Sequence, residues 1–245
     1  MPGIVVAVLL LSALFAAPDV PAAPGGALPP FEATYTVSYG PLRATMQLRL
    51  SRSGDGYLYE TSLQPRGLAS LLRRGVIHEK TFFLVDGDNV RPLEYERTDT
   101  IADPARMARY HFEGDHVGGI YKSREIDLPM RDGGQNRISV HVALMQRLRS
   151  DRAIGAFPVF DRSRWKDYEF DVLPAREIET RSGSYEAVEV RYSSPGDDKG
   201  TSIFFAPALS YLPILIEYVE SGDVKSRARL DDYRIQGPVE GETRG

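Results

Sequence analysis

The sequence predicts a mostly β protein: a single curved antiparallel sheet or a half-open β-barrel, with one main α-helix over about residues 136–150 packed on or into it. Two observations support this fold class. Apolar and polar residues alternate in many short segments, which turn residues separate roughly every eight to twelve positions, as in sandwiches and barrels. Strands and helices do not alternate along the chain, which disfavours a parallel, doubly wound sheet.

The helix is predicted from the sequence QNRISVHVALMQRLRS at residues 135–150. Ile138, Val142 and Met145 follow one another at spacings of four and three, which places them on one side of a helix. Asn136 is the expected N-cap, because its side chain can accept a hydrogen bond from a free backbone N–H of the first turn. The segment is too short and too charged to span a bilayer.

The segments before this helix predict a series of hairpins, because apolar and polar residues alternate with the period of a half-buried strand. The sequence Gly54-Asp55-Gly56 is a typical hairpin turn between the second and third strands. Residues 65–75 break the alternation, and their leucine spacing predicts one or two helical turns. The strands expected before the helix lie at residues 31–39, 42–52, 57–64, 76–85, 90–98, 105–113, 116–122 and 126–128.

The alternating pattern resumes after the helix, so about eleven to thirteen strands are expected in all. We expect residues 31–236 to form one antiparallel β-barrel-like domain. No linker divides the chain near the helix, and two separate halves would each leave open sheet edges. The strands expected after the helix lie at residues 157–160, 165–173, 174–180, 184–192, 201–205, 212–219 and 224–235.

The two ends of the chain have other predicted roles. Residues 1–22 predict a signal peptide, because a short apolar run precedes small residues at a typical cleavage position. A spacer rich in Pro, Ala and Gly follows at residues 23–30, and the polar residues 237–245 are expected to form a disordered tail. No second apolar run has spanning length, so no transmembrane segment is expected in the mature chain. The predicted location is the periplasm, with secretion as the alternative.

The sequence offers no motif for catalysis, metal binding or cofactor binding. It contains no cysteine, which excludes disulfides and a thiolate nucleophile. The four histidines, His78, His111, His116 and His141, lack the spacings of metal sites, so we expect no metal and no cofactor. A hydrolase, the less favoured hypothesis, would need His78, His111 or His116 to meet carboxylates in one cleft. The net charge of −4 disfavours a nucleic-acid partner.

The alternation of apolar and polar residues predicts an apolar inner face on a curved sheet, and such a sheet can enclose a cavity as well as a core. The predicted function is therefore a non-catalytic binding or carrier protein of the cell envelope, for an apolar or lipid-like ligand. The alternative is a structural or protein-interaction module with a solid core and an envelope protein as its partner. The candidate cavity-lining residues, which could equally fill the core, are Tyr35, Tyr39, Tyr57, Tyr59, Phe83, Tyr95, Tyr110, Phe112, Val142, Met145 and Phe170.

Several loose motifs occur in a characteristic order along the chain. They are RPLEY at residues 91–95, Asp132 ahead of the helix, Ser139 within it, Leu148-Arg149 at its end, ALSYLPI at residues 208–214 and ARLDDY at residues 228–233. In this order the motifs resemble the bacterial envelope family known as domain of unknown function 3108, over roughly residues 31–235. The resemblance implies an exported, mostly antiparallel β protein without an assigned activity. More distantly, the chain is similar to half-barrel proteins that carry lipoproteins or lipids across the periplasm.

Overall fold

The computed structural model describes residues 27–72 and 74–236. The predicted signal peptide, most of the predicted spacer and the predicted C-terminal tail lie outside these residues. The strands of the described part are β1 (Phe31–Tyr39), β2 (Leu42–Ser53), β3 (Gly56–Arg66), β4 (Ile77–Asp86), β5 (Asn89–Asp99), β6 (Arg106–Glu113), β7 (His116–Tyr121), β8 (Arg124–Pro129), β9 (Gln135–Asn136), β10 (Phe157–Asp161), β11 (Arg164–Thr180), β12 (Gly183–Ser193), β13 (Lys199–Ala206), β14 (Leu212–Glu220) and β15 (Asp223–Ile235). The helices are α1 (Leu68–Leu72), α2 (Ser139–Arg149) and a 3-10 turn (Pro207–Leu209).

All fifteen strands belong to one sheet, in the order β8-β7-β6-β5-β4-β3-β2-β1-β15-β14-β13-β12-β11-β10-β9. Neighbours in the sheet are neighbours in sequence, except where β1 pairs with β15 and joins the two ends of the domain. The pairings are antiparallel, apart from the short parallel contact between β9 and β10. The two halves of the chain therefore share one continuous hydrogen-bonded sheet.

The sheet is rolled but not closed, because β8 and β9 are its two end strands. The β9–β11 end curls back against β4 and β5, and we call this junction the seam. Gln135 Nε2 donates to the Val90 carbonyl at 2.7 Å, and Asn136 Nδ2 donates to Thr81 Oγ1 at 2.8 Å across it. This arrangement confirms the predicted fold class, a single curved antiparallel sheet rolled into a half-open barrel.

Helix α2 fills one end of the rolled sheet. Val142, Leu144 and Met145 are at most 1% exposed, so the helix is surrounded by the inner face of the sheet. Gln146 Nε2 donates to the Gly87 carbonyl at 3.0 Å, which ties the helix to the turn between β4 and β5. The hydrophobic core therefore lies at this end of the barrel. No helix in the described ranges is long and apolar enough to cross a membrane.

Helix α2 begins at Ser139, three residues later than expected. The N-cap position is Ile138, which makes no side-chain capping bond, and not the predicted Asn136. Asn136 still accepts bonds at the start of the helix, because the backbone N–H groups of Ile138 and Ser139 donate to its Oδ1 at 3.1 and 2.9 Å. Its own backbone is held extended, because Asn136 pairs with Phe160 in the parallel contact between β9 and β10. This pairing between segments distant in sequence thus keeps the first residues of the predicted helix in an extended conformation.

The described residues form fifteen strands, against the eleven to thirteen expected, and two of the predicted ranges belong to a single strand. Residues 165–173 and 174–180 both lie in β11, because a register shift between Leu173 and Arg176 accommodates Pro174 within the pairing to β12. The described end of the predicted spacer is anchored: Leu28 is fully buried, and the Gln236 N–H donates to the Pro30 carbonyl at 2.9 Å.

Candidate ligand-binding cavity

A cavity of about 470 Å³ lies inside the rolled sheet, beside the start of α2. Small-molecule sites in proteins have volumes of about 300–1,000 Å³, so the cavity can hold a ligand of substantial size. Strands from both halves of the chain contribute to its wall, and the wall opposite the seam is aliphatic. The aliphatic lining consists of Val37, Met46, Leu48, Leu63, Ile77, Ile138, Val140, Val159, Ile216 and Ala228.

The mouth of the cavity carries exposed apolar side chains. Tyr39, which pairs with the cavity-lining Ser226, is 60% exposed, and the cavity-lining Tyr218 is 36% exposed. Helix α1 joins β3 to β4 at the same end of the sheet, and its Leu68 and Leu71 are 68% and 75% exposed. Exposed apolar residues grouped in this way are typical of a binding entrance.

Alternating charges form one continuous series at the seam, which we call the charge chain. Its members, in spatial order, are Asp99, Arg97, Glu79, Arg137, Asp161 and Lys166.

The half of the charge chain on β4 and β5 is tightly paired. Arg97 contacts Glu79 and lies 3.1 Å from Asp99 Oδ2 through its Nη2. Tyr95 donates its hydroxyl hydrogen to Glu79 Oε2 at 2.7 Å. Burial raises the pKa of Tyr95, and the negative charge of Glu79 adds to that effect. These groups leave Glu79 with only 6% of its side chain exposed.

Arg137, just before α2, links that half to the other side of the seam. Its Nε lies 3.1 Å from Glu79 Oε2, and its Nη1 lies 3.8 Å from Asp161 Oδ1. Lys166 Nζ contacts the other oxygen of Asp161 at 2.8 Å. Burial opposes the charge on Arg137, but the carboxylates, Glu79 foremost, outweigh that effect and raise its pKa. Although protein surrounds Arg137, 43% of its side-chain surface is open because it faces the cavity.

Two polar atoms at this wall have no hydrogen-bond partner among the described residues: His141 Nδ1 and Asp161 Oδ1. Burial, followed by the charge of Arg137, lowers the pKa of His141 to about 4, so its imidazole is neutral at pH 7. Burial raises the pKa of the nearby Tyr192 to about 12, so its hydroxyl keeps its proton. The seam therefore offers a ligand both hydrogen-bond donors and hydrogen-bond acceptors.

The sequence profile described as "Protein of unknown function (DUF3108)" matches residues 34–229, which is most of the chain. The chain belongs to the DUF3108 family. This result confirms the resemblance found in the ordered motifs. None of the curated proteins matches this DUF3108 protein.

Solved structures with a similar architecture share little sequence with it. A β-barrel-like DUF1849 protein from Brucella abortus has a TM-score of 0.59 at 13% identity, over 86% of this chain and 99% of that chain. A lipoprotein candidate from Parabacteroides distasonis has a TM-score of 0.36 at 11% identity, over 87% of this chain and 98% of that chain. An exported-protein candidate with a YmcC-like fold from Bacteroides fragilis has a TM-score of 0.32 at 9% identity, over 87% and 97%. The DUF1849 likeness shows a shared fold only.

The residues predicted to line one cavity lie in several separate places in the DUF3108 protein. Tyr39 lies at the mouth, and Phe170 is partly buried beside the core. Tyr95 and Tyr110 border a cavity of about 70 Å³ next to the charge chain, and Phe112 borders one of about 370 Å³ near α2. The remaining predicted residues lie in the core: Tyr35, Tyr57, Tyr59, Phe83, Val142 and Met145. Helix α2 packs against most of the predicted aromatic residues, and a different, largely aliphatic set of residues lines the large cavity.

The charge chain was not predicted from the sequence, although charged residues at inward positions of β4 and β5 indicate it. Glu79 shares the inward phase of β4 with Thr81 and Phe83, and a charged residue at an inward position indicates a buried partner. Arg97 likewise shares the inward phase of β5 with Tyr95. Arg137 gave no comparable signal, because its position depends on how the seam closes.

The three histidines that a hydrolase would need do not meet in a cleft of the described structure. The side chain of His78 is 45% exposed and lies 3.8 Å from Glu60, and the side chain of His116 is 54% exposed and contacts Asp127 at 2.8 Å. His111 is exposed on β6. The described residues also contain no group of three or more side chains that could hold a metal ion.

Proposed function

We propose that this DUF3108 protein is a periplasmic binding or carrier protein for an apolar or lipid-like ligand, which it holds in the cavity beside α2. The observation that carries the proposal is the cavity of about 470 Å³ with its continuous set of aliphatic lining residues and its apolar mouth. An acyl chain against this wall would exchange water for apolar contacts, at roughly 25 cal/mol per Å² of surface removed from water.

The shape of the interior favours binding over a purely structural role. Larger side chains at positions such as Val37 or Ala228 would fill the cavity. An interaction module with a solid core has no need of small side chains at these positions. A protein that holds an apolar guest does need them.

The proposal is tested by filling the cavity. The variant Val37→Trp places an indole where the ligand's chain would lie, because Val37 lines the cavity. We expect the affinity for the fluorescent apolar probe 1-N-phenylnaphthylamine to fall by at least about tenfold, because the site loses much of its volume. For the wild type, displacement titrations measure how well long-chain lipids compete with the probe. Native mass spectrometry of the gently purified protein shows whether a ligand co-purifies.

The matched control is Val172→Trp, which makes the same change at a side chain that is 50% exposed. It should leave probe binding at the wild-type level. The proposal is wrong if the wild-type protein shows no saturable probe binding. It is equally wrong if Val37→Trp, folded as judged by circular dichroism, binds the probe as tightly as the wild type.

A further inference from the structure

We infer that the charge chain is a head-group site, and that the ligand is a single-chain amphiphile with an uncharged, hydrogen-bonding head such as a hydroxyl or an amide. This inference rests on the proposed function and names the ligand class. Its basis is the chemical division of the cavity: aliphatic side chains form one wall, and Arg137, His141 and Asp161 face the same space from the seam. A ligand that contacts both walls must be amphiphilic.

The charges at the seam exclude an ionic head. The charged residues that line the cavity are two carboxylates, on Glu79 and Asp161, and two cations, on Arg97 and Arg137, so their formal charges cancel. An anionic or cationic head would leave one charge without compensation beside Glu79 and Asp161, whose side chains are only 6% and 13% exposed, and such an imbalance is expensive there. An uncharged head keeps the balance.

The unused bonding capacity matches such a head. Arg137 has an open guanidinium surface that can donate, and Asp161 Oδ1 is an acceptor without a hydrogen-bond partner among the described residues. His141 Nδ1, also without one, can complete the set. A hydroxyl or an amide both donates and accepts, so one head group can satisfy Arg137 and Asp161 together.

A purely structural role for the charge chain does not account for these atoms. The pairs made by Arg97 and Glu79 hold β4 to β5 and are well buried, with 20% and 6% of the side chains exposed. A clamp of that kind would bury Arg137 as well and satisfy both oxygens of Asp161, because buried polar groups in proteins are nearly always hydrogen-bonded. Instead, Arg137 is open to the cavity.

The test compares three ligands that share one eighteen-carbon chain (1-monooleoylglycerol, oleate and oleylamine) as competitors for the bound fluorescent probe. We expect 1-monooleoylglycerol to bind at least about tenfold more tightly than either charged ligand, because each ionic head unbalances the site. If oleate or oleylamine binds as tightly or more tightly, the head-group inference is overturned while the proposed function stands. If none of the three displaces the probe, both fail.

Charge-altering variants sharpen the test. Asp161→Asn gives the seam one excess positive charge, so oleate should gain about tenfold relative to 1-monooleoylglycerol. Arg137→Met gives one excess negative charge, so oleylamine should gain by a similar factor. The control Asp127→Asn removes an exposed carboxylate outside the cavity and should leave the ranking unchanged. If both seam variants fold and rank the three ligands as the wild type does, the inference is refuted. If a variant fails to fold, the ranking of the three ligands by the wild-type protein tests the inference.

Discussion

Glu79 is the most heavily engaged charged residue of the protein's interior. It accepts a hydrogen bond from Tyr95 and contacts both Arg97 and Arg137, so its removal would strand two cations and a hydroxyl at the seam. We expect Glu79→Ala to lower the free energy of unfolding by about 3–5 kcal/mol, the usual loss when one partner of a buried ion pair is deleted. Urea denaturation measures this change.

The matched control is Glu96→Ala on the outer face of the neighbouring strand. Glu96 pairs with Lys80 and Arg109 at 2.9 Å each, but its side chain is 32% exposed, against 6% for Glu79, so water screens these pairs. Its loss should cost less than about 1 kcal/mol. Equal losses in the two variants would mean that the charge chain does not stabilise the seam.

His141 should make the stability of the protein depend on pH. Its pKa is about 4 in the folded protein and 6.5 when unperturbed, so the unfolded chain binds more protons between these values. Stability should therefore be fully present above about pH 6.5 and decline as the pH falls towards 4. Urea titrations at several pH values measure the slope.

His141→Gln should remove this part of the pH dependence, whereas the surface variant His78→Gln should keep it. A wild-type slope in His141→Gln would show that other groups cause the acid sensitivity.

At the scale of elements, α2 both fills one end of the rolled sheet and forms part of the cavity wall. Its middle carries Leu144, which is fully buried, and its first turn reaches the cavity through Val140, next to Ile138 just before the helix. We expect Leu144→Ala to destabilise the fold by about 2–5 kcal/mol, because it removes packed methyl groups and leaves a cavity. Thermal or urea unfolding followed by circular dichroism measures it.

Leu71→Ala makes the same truncation in α1, at a side chain that is 75% exposed. That variant should stay within about 0.5 kcal/mol of the wild type. A large loss there would indicate that α1 packs against the domain rather than forming part of an open mouth.

Helix α2 also shows which features of an element a sequence pattern can predict. The period of α2 was predictable, and so was the acceptance by the Asn136 side chain of a backbone N–H bond at the start of the helix, because both depend on residues within a few positions of one another. The later start of α2 was not, because it follows from a pairing with Phe160, which is distant in sequence.

At the scale of the whole molecule, the path of the sheet explains where the cavity lies. The chain adds hairpin after hairpin, and the pairing of β1 with β15 places both ends of the domain in the middle of the sheet. The free ends of the sheet then curl towards each other, and the charge chain crosses the seam where β9–β11 meet β4 and β5. The aliphatic wall opposite the seam completes the cavity.

By itself the sequence determined the fold class and the presence of one main helix, because both depend on local periodicity and turn chemistry. Only the tertiary structure decided which inward residues form the core and which line the cavity. That choice depends on where α2 lies within the roll. The tertiary structure also brought Glu79, Arg137 and Asp161 together, since residues on three separate elements become neighbours only when the sheet curves back on itself.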